Sequence, residues 1–163
     1  MKKLSTLLMT LSLAATAGLT HAAGYGIVDM QRVVENSVYL KQQNATLQQS
    51  VKPSADRVEQ LNKEIQALQG KAGSAKPAEV EQLKTQYDTK VREINSLEQN
   101  IQQRVQATSQ TTSQTFTSRV QQAAEQLRKD GGLDLVLNKN AALAYDAKND
   151  LTDKMIQKVN AMK

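Results

Sequence analysis

The chain has no cysteine and hardly any histidine or aromatic residues. Its 163 residues include no Cys and no Trp, one His, one Phe and four Tyr. The lack of cysteine excludes disulfides, thiol nucleophiles and thiolate–metal sites. There is also no glycine-rich phosphate loop and no serine in an activated setting, so an enzyme is the weakest interpretation. We expect no catalytic residues, no metal site and no cofactor.

Large apolar side chains are scarce as well. Hydrophobic residues make up 39% of the chain and charged residues 23%. A chain of this composition buries too little apolar surface to build one thick core. We therefore expect a long, thin shape that is stabilised by association of subunits.

Long apolar runs are missing except at the beginning of the chain. Residues 1–3 are Met-Lys-Lys, residues 4–19 are apolar apart from Ser, Thr and Gly, and Ala22 ends a small-residue cleavage pattern. A membrane span needs roughly 20 apolar residues, more than this run supplies. The pattern predicts a signal peptide over residues 1–22, cleaved near Ala22, and export to the periplasm. Cleavage would also remove His21, the one histidine.

The longest patterned stretch runs from Leu40 to Leu127. Its apolar positions alternate steps of four and three residues, which places a narrow seam on one side of a helix, as in coiled coils. Residues 70–77 interrupt the pattern with two glycines and a proline, which end one helix and begin the next. We predict a helical hairpin over residues 40–130 with its tip near 70–77. The ascending seam is Leu40, Asn44, Leu47, Val51, Ser54, Val58, Leu61, Ile65 and Leu68, and the returning seam is Val80, Leu83, Tyr87, Lys90, Ile94, Leu97 and Ile101.

Two features disturb this hairpin. Pro53 removes a helical hydrogen bond, so we expect a kink or a short break near Ser50 to Pro53. On the returning helix the apolar seam fades after Val105, and residues 106–115 are almost wholly Gln, Ser, Thr and Ala. We expect this section to be mobile, or to be a surface whose apolar partner is another subunit.

Both ends of the chain contain strand-like segments. Residues 25–29 predict a strand, with Asp29 placed to cap the next helix. Residues 133–138 and 141–145 predict a β-hairpin. Residues 150–153 have the form of a capping box that opens a last helix.

The predicted fold is α+β and mostly α. A small β-rich association body is built from residues 23–39 and 131–163, and the helical hairpin is inserted between its N- and C-terminal strands. So few strands give a thin body, for which dimerisation or trimerisation would supply the missing burial. The residues predicted to build the association body are Ile27, Val28, Leu133, Leu135, Leu137, Leu143 and Tyr145.

Several short strings resemble the OmpH/Skp family of periplasmic chaperones. One is Gly26-Ile27-Val28-Asp29-Met30 after a signal peptide. Others lie in the C-terminal run: Leu133 to Leu137, Asn140 to Tyr145, and Asp150-Leu151-Thr152. The middle of the chain matches the family in length and heptad character and in its Lys/Gly/Ser tip. It departs from the family's best-known member in having Pro53 and the section 106–115, and in its milder positive charge.

This resemblance implies a homotrimer whose bodies join into a barrel-like core, with three arms extending like tentacles around a cavity. Such proteins hold unfolded outer-membrane proteins without ATP until membrane insertion. Residues 41–130 contain 13 basic and 10 acidic side chains. Summed over three arms around one cavity, this excess would attract an acidic unfolded chain, and salt would weaken the attraction.

The client-contact residues are expected on the arm and at its tip. Lysines at an exposed tip are also placed to touch anionic lipid or lipopolysaccharide headgroups. For any single lysine, a solvated helix surface is the more common role. The residues predicted to contact clients are Lys71, Lys76, Lys84, Arg92, Arg104, Phe116 and Arg119.

Two other classes of function compete with a chaperone. An envelope scaffold would use the same coiled-coil arms to organise partners, and the sequence separates it poorly from a chaperone. A nucleic-acid-binding protein would agree with the formal net charge of +5. However, acidic residues are interleaved with the basic ones and stacking aromatics are almost absent, so no nucleic-acid partner is expected.

Overall fold

The computed structural model describes residues 24–162. The predicted signal peptide and its cleavage site lie outside these residues. Strand β1 (Tyr25–Val28) is followed by the short helix α1 (Met30–Glu35) and by two long helices, α2 (Val38–Ala72) and α3 (Pro77–Asp130). Strand β2 (Leu135–Asn138), two 3-10 turns (Lys139–Ala141 and Ala147–Asn149) and helix α4 (Thr152–Ala161) complete the described chain.

Helices α2 and α3 form the predicted hairpin, which we call the arm. At 1.5 Å per residue, α2 is about 50 Å long and α3 about 80 Å long. The tip lies between Ala72 and Pro77, and proline at the first position of α3 costs no hydrogen bond because that N–H has no partner in a helix. Because α3 is the longer helix, it continues beyond α2 and enters the body.

Helix α2 runs without interruption through Pro53. The expected short break near Ser50 to Pro53 is therefore absent. A stop does separate α1 from α2, because α1 ends at Glu35 and Ser37 caps α2. The buried Ser37 side chain accepts a hydrogen bond from the Leu40 amide at 3.2 Å.

The two strands are parallel neighbours, with Tyr25 opposite Leu135 and Val28 opposite Asn138. A parallel pair requires a crossover connection. Here the whole arm is that crossover, so the arm is inserted between the strands, as predicted from the sequence.

The predicted β-hairpin is wrong. Residues 141–145 form no strand, and β2 pairs with β1 instead of with a following strand. The reason is local. The Asn138 carboxamide oxygen accepts a hydrogen bond from the Asn140 amide at 3.2 Å, which turns the chain into a 3-10 turn directly after β2.

The main core lies in the body, where β1, α1, α3 and α4 meet. Its buried members are Val28, Val33, Phe116, Ala123, Leu127, Met155 and Val159. Met155 and Val159 lie one turn apart on α4 and form its buried apolar face. The arm has a thinner interior, in which Leu61 and Leu68 are the buried side chains of α2.

Hydrogen bonds at the first residue of α4 and at the residue before it join the N-terminal and C-terminal parts of the described chain. The Leu151 amide donates to the Ile27 carbonyl at 2.7 Å. The Asp29 amide donates to the fully buried Thr152 hydroxyl at 2.9 Å. Asp29 also caps α1, as predicted, by accepting from the Arg32 amide at 3.2 Å.

The capping box predicted at residues 150–153 does not form, because the N-cap of α4 is Leu151 and no side chain makes a capping hydrogen bond there. The Asp150 carboxylate accepts from the Thr152 amide at 2.8 Å. The Asp153 carboxylate, which should return to the backbone, instead pairs with Arg32 at 2.8 Å. The start of α4 is therefore held by a contact to α1 as well as by its own turn.

Candidate functional site

Four charged residues cross-link the middle of the arm. Arg57 of α2 pairs with Glu93 of α3 at 2.8 Å and with Glu64 at 3.6 Å, and Glu64 also pairs with Lys90. The hydrogen bond from Lys90 lowers the pKa of Glu64, and the hydrogen bond to Glu93 raises the pKa of Arg57. Lys90 occupies a position of the apolar seam. A polar residue at such a position selects helix register at a cost in stability.

Five of the predicted client-contact residues are exposed cations. Lys71 and Lys76 flank the tip, and Lys84, Arg92 and Arg104 follow along α3. Within the described part of the chain, none of these five lies within 4.0 Å of a carboxylate oxygen. Their charge is therefore available to a partner.

Arg119 and Phe116 are placed differently, at the root of the arm. Arg119 lies over the Tyr39 ring, with its guanidinium carbon 4.1 Å from the ring centre, and donates to the Met162 carbonyl at 2.9 Å. Phe116 belongs to the body core and is 9% exposed. Both residues join the arm to the body, in contrast to the open contact surface expected from the sequence.

A groove at the tip combines apolar and basic residues. It has a volume of about 250 Å³ and is lined by Leu68, Gln69, Ala72, Val80, Leu83, Lys84 and Tyr87. Val80 and Tyr87 remain 44% and 37% exposed. Both occupy positions of the predicted returning seam, and heptad spacing alone does not reveal that they stay accessible at the tip.

The residues predicted for the association body divide into three groups. Ile27 and Val28 are buried within the protomer, and Leu133 and Tyr145 are half-buried. Leu135, Leu137 and Leu143 are exposed, with 38%, 39% and 109% of their surface accessible. In the described chain, β2 has one strand partner, so its other edge and these leucines are available for association.

The described residues contain neither a cluster of metal ligands nor a helix suited to span a membrane. Between residues 24 and 162, no three His, Asp or Glu side chains are clustered as metal ligands would be. None of the helices in the same range has a window apolar and long enough to cross a bilayer.

The arm and body have clear counterparts among known proteins. A proposed OmpH-like outer membrane chaperone from Caulobacter crescentus CB15, solved as a crystal structure, superposes with a TM-score of 0.67. It is 22% identical in sequence, and the match covers 85% of each chain, so it shows a shared fold. Curated proteins yield no match.

The family comparison is more specific than the structural one. The model of the family described as "Outer membrane protein (OmpH-like)" matches residues 24–159, which include both ends of the body and the whole arm. The chain therefore belongs to the OmpH-like family.

Proposed function

We propose that the protein is an ATP-independent holdase chaperone of the periplasm. It binds unfolded outer-membrane proteins in a cavity between the arms of a homotrimer and prevents their aggregation before membrane insertion. The observation that carries this proposal is the arm itself. It extends far beyond a small body and presents exposed cations that lack an ion-pair partner within the described chain.

The arm surface suits reversible holding. A compartment without ATP requires binding that is weak at each contact and readily exchanged. Exposed cations provide such contacts, because each contributes little free energy and is screened by salt. The Caulobacter protein of the same fold is itself a proposed outer membrane chaperone, which supports the same role here.

The exposed body leucines support self-association. Leu135 and Leu137 alternate along β2 and so share one face of a strand whose outer edge has no partner in the described protomer. Pairing of this edge with other copies would bury both the backbone groups and the leucines. Three copies would set three arms around one space. The tip, with Lys71 and Lys76 flanking its turn and Lys84 lining the tip groove, is the place proposed to touch anionic lipid or lipopolysaccharide.

Native mass spectrometry of the mature protein tests the proposal. The protein is measured first alone. It is measured again after an outer-membrane β-barrel protein, unfolded in urea, has been diluted into the solution. We expect a trimer that takes up one client and loses it as the salt concentration rises. A trimer that ignores the client would favour an envelope scaffold, and a monomer would contradict the cavity, because one arm cannot enclose a chain.

A pair of matched variants tests the role of the arm cations. K84Q removes one exposed charge from the arm, whereas K154Q removes one exposed charge from the body, and neither lysine pairs with a carboxylate within the described chain. Both variants lose the same net charge. We expect weaker client retention and a shallower salt dependence for the arm variant. Equal losses in the two variants would mean that net charge, and not its position on the arm, governs retention.

A further inference from the structure

The half of the arm next to the body contains a band without charged side chains. In α2, residues 42–51 include no charged side chain, and in α3 the same is true of residues 105–118. The two segments face each other, because residues of both line a single groove. Such a band is unusual in a chain of which 23% is charged.

We call this groove the arm trough. Its volume is about 430 Å³. The apolar side chains lining it are Leu40, Leu47, Val105 and Phe116, and the polar ones are Gln43, Asn44, Thr108, Ser109, Thr112 and Ser113. Every lining residue is uncharged.

The trough exists because small side chains replace large ones in α3. Nearer the tip, the seam positions of α3 are occupied by Leu97 and Ile101, which are half-buried. Nearer the body, the corresponding side chains are those of Thr108 and Thr112. These are too short to cover Leu40 and Leu47, which stay half-buried, and Val105 is 42% exposed. The short threonine side chains therefore leave the apolar surface of the trough uncovered in the protomer.

The residues that line the arm trough determine which kind of chain segment can bind in it. A charged side chain entering the trough would lose water and find no opposite charge, which is costly. An uncharged backbone would find hydroxyl and carboxamide groups able both to donate and to accept hydrogen bonds. From Leu40 to Leu47 the helix rises about 10 Å, which equals roughly three residues of extended chain.

We propose that the arm trough binds an extended, uncharged segment of the unfolded client, with apolar side chains at alternate positions. One face of such a segment contacts Leu40, Leu47 and Val105. Its backbone forms hydrogen bonds with the threonine and serine hydroxyl groups of the lining, which we call the rim of the trough. Transmembrane β-strands have this alternation. The inference rests on the proposed holdase function and adds to it a subsite that selects neutral segments, separate from the cations that attract the client by charge.

Filling the trough tests this inference. Thr112→Leu places a larger apolar side chain in the trough, and Thr111→Leu places the same side chain on the exposed surface outside it. We expect T112L to raise the urea midpoint of unfolding, because it covers apolar surface. We also expect it to weaken client binding by about tenfold, the loss of one buried side-chain contact. T111L should bind client as the wild type does.

A photo-crosslinking amino acid gives a readout that does not depend on the fold of T112L. It is placed at Ser109, on the rim, and as a control at Thr111. Crosslinks to the client from position 109 and not from 111 support the trough as a client subsite. Crosslinks from 109 to a second copy of the chain mean that another arm covers the trough, which overturns the inference.

The outcomes separate this inference from the proposed function. If the wild type retains client while T112L and T111L bind it equally well, the trough proposal is wrong and the holdase stands. If the wild type retains no client, both are wrong. Increased stability together with reduced binding in T112L is the result that a purely structural role for Thr112 does not predict.

Discussion

Removal of the Thr152 hydroxyl tests the junction between the two ends of the chain. In Thr152→Val the shape of the side chain is kept, but the acceptor for the Asp29 amide is lost. Thr152 is fully buried and the hydrogen bond is 2.9 Å long, so no water replaces the hydroxyl without rearrangement. An amide left without a partner costs about 1–3 kcal/mol. Because the Asp29 amide is only partly buried, we expect a value in the lower half of that range.

Urea denaturation of the mature protein, followed by circular dichroism, measures this loss. With a slope of about 1.5 kcal/mol/M, a loss of 1–2 kcal/mol lowers the urea midpoint by about 0.7–1.3 M. Protein concentration must be held constant, since unfolding of an oligomer depends on it. Thr117→Val, at an exposed position of α3, is the control and should change the midpoint little.

Hydrogen exchange of the Asp29 amide identifies the cause of any change. In T152V this amide should exchange faster than in the wild type, relative to amides in the middle of α3. If T152V is as stable as the wild type and the Asp29 amide keeps its protection, the hydroxyl does not hold the two ends together, and the reasoning fails.

Three further predictions concern the arm and the turn that follows α3. Leu61→Ala, at a fully buried arm position, should destabilise the protein by about 2–5 kcal/mol, seen as a lower melting temperature. The lowered pKa of Glu64 means that its pairing with Lys90 stabilises the fold above the ordinary value of 4.5 and is lost as the pH falls below it. Glu64→Gln should therefore reduce the urea midpoint at pH 7, with a smaller difference near pH 3. Gly70→Ala, inside α2 with free space around it, should stabilise the protein by about 0.5–1 kcal/mol, whereas Gly132→Ala, at a φ of 58°, should destabilise it by about 1–2 kcal/mol. Melting curves that move in the same direction for both glycine variants would contradict this assignment.

The arm was predictable because its signals are local. Heptad spacing and the glycines before Pro77 each act within a few residues of the chain, and the structure confirms the two helices they predict. The break expected at Pro53 was the exception. Packing against α3 and the other hydrogen bonds of α2 keep the helix continuous there.

The role of each arm residue could not be read from spacing in the same way. Phe116 and Arg119 lie on the same long helix as Arg92 and Arg104, and nothing local distinguishes them. Phe116 and Arg119 reach the body only because α3 extends beyond the beginning of α2. There Phe116 packs in the core, and Arg119 donates a hydrogen bond to the Met162 carbonyl.

What the sequence determined by itself was the order of elements: strand, long helical hairpin, strand, last helix. Periodicity and turn residues encode these locally. Tertiary structure alone decided that the two strands are parallel neighbours and that the half of the arm next to the body keeps an open trough. Each of these depends on contacts between residues far apart in the chain, whose free energies no local pattern contains.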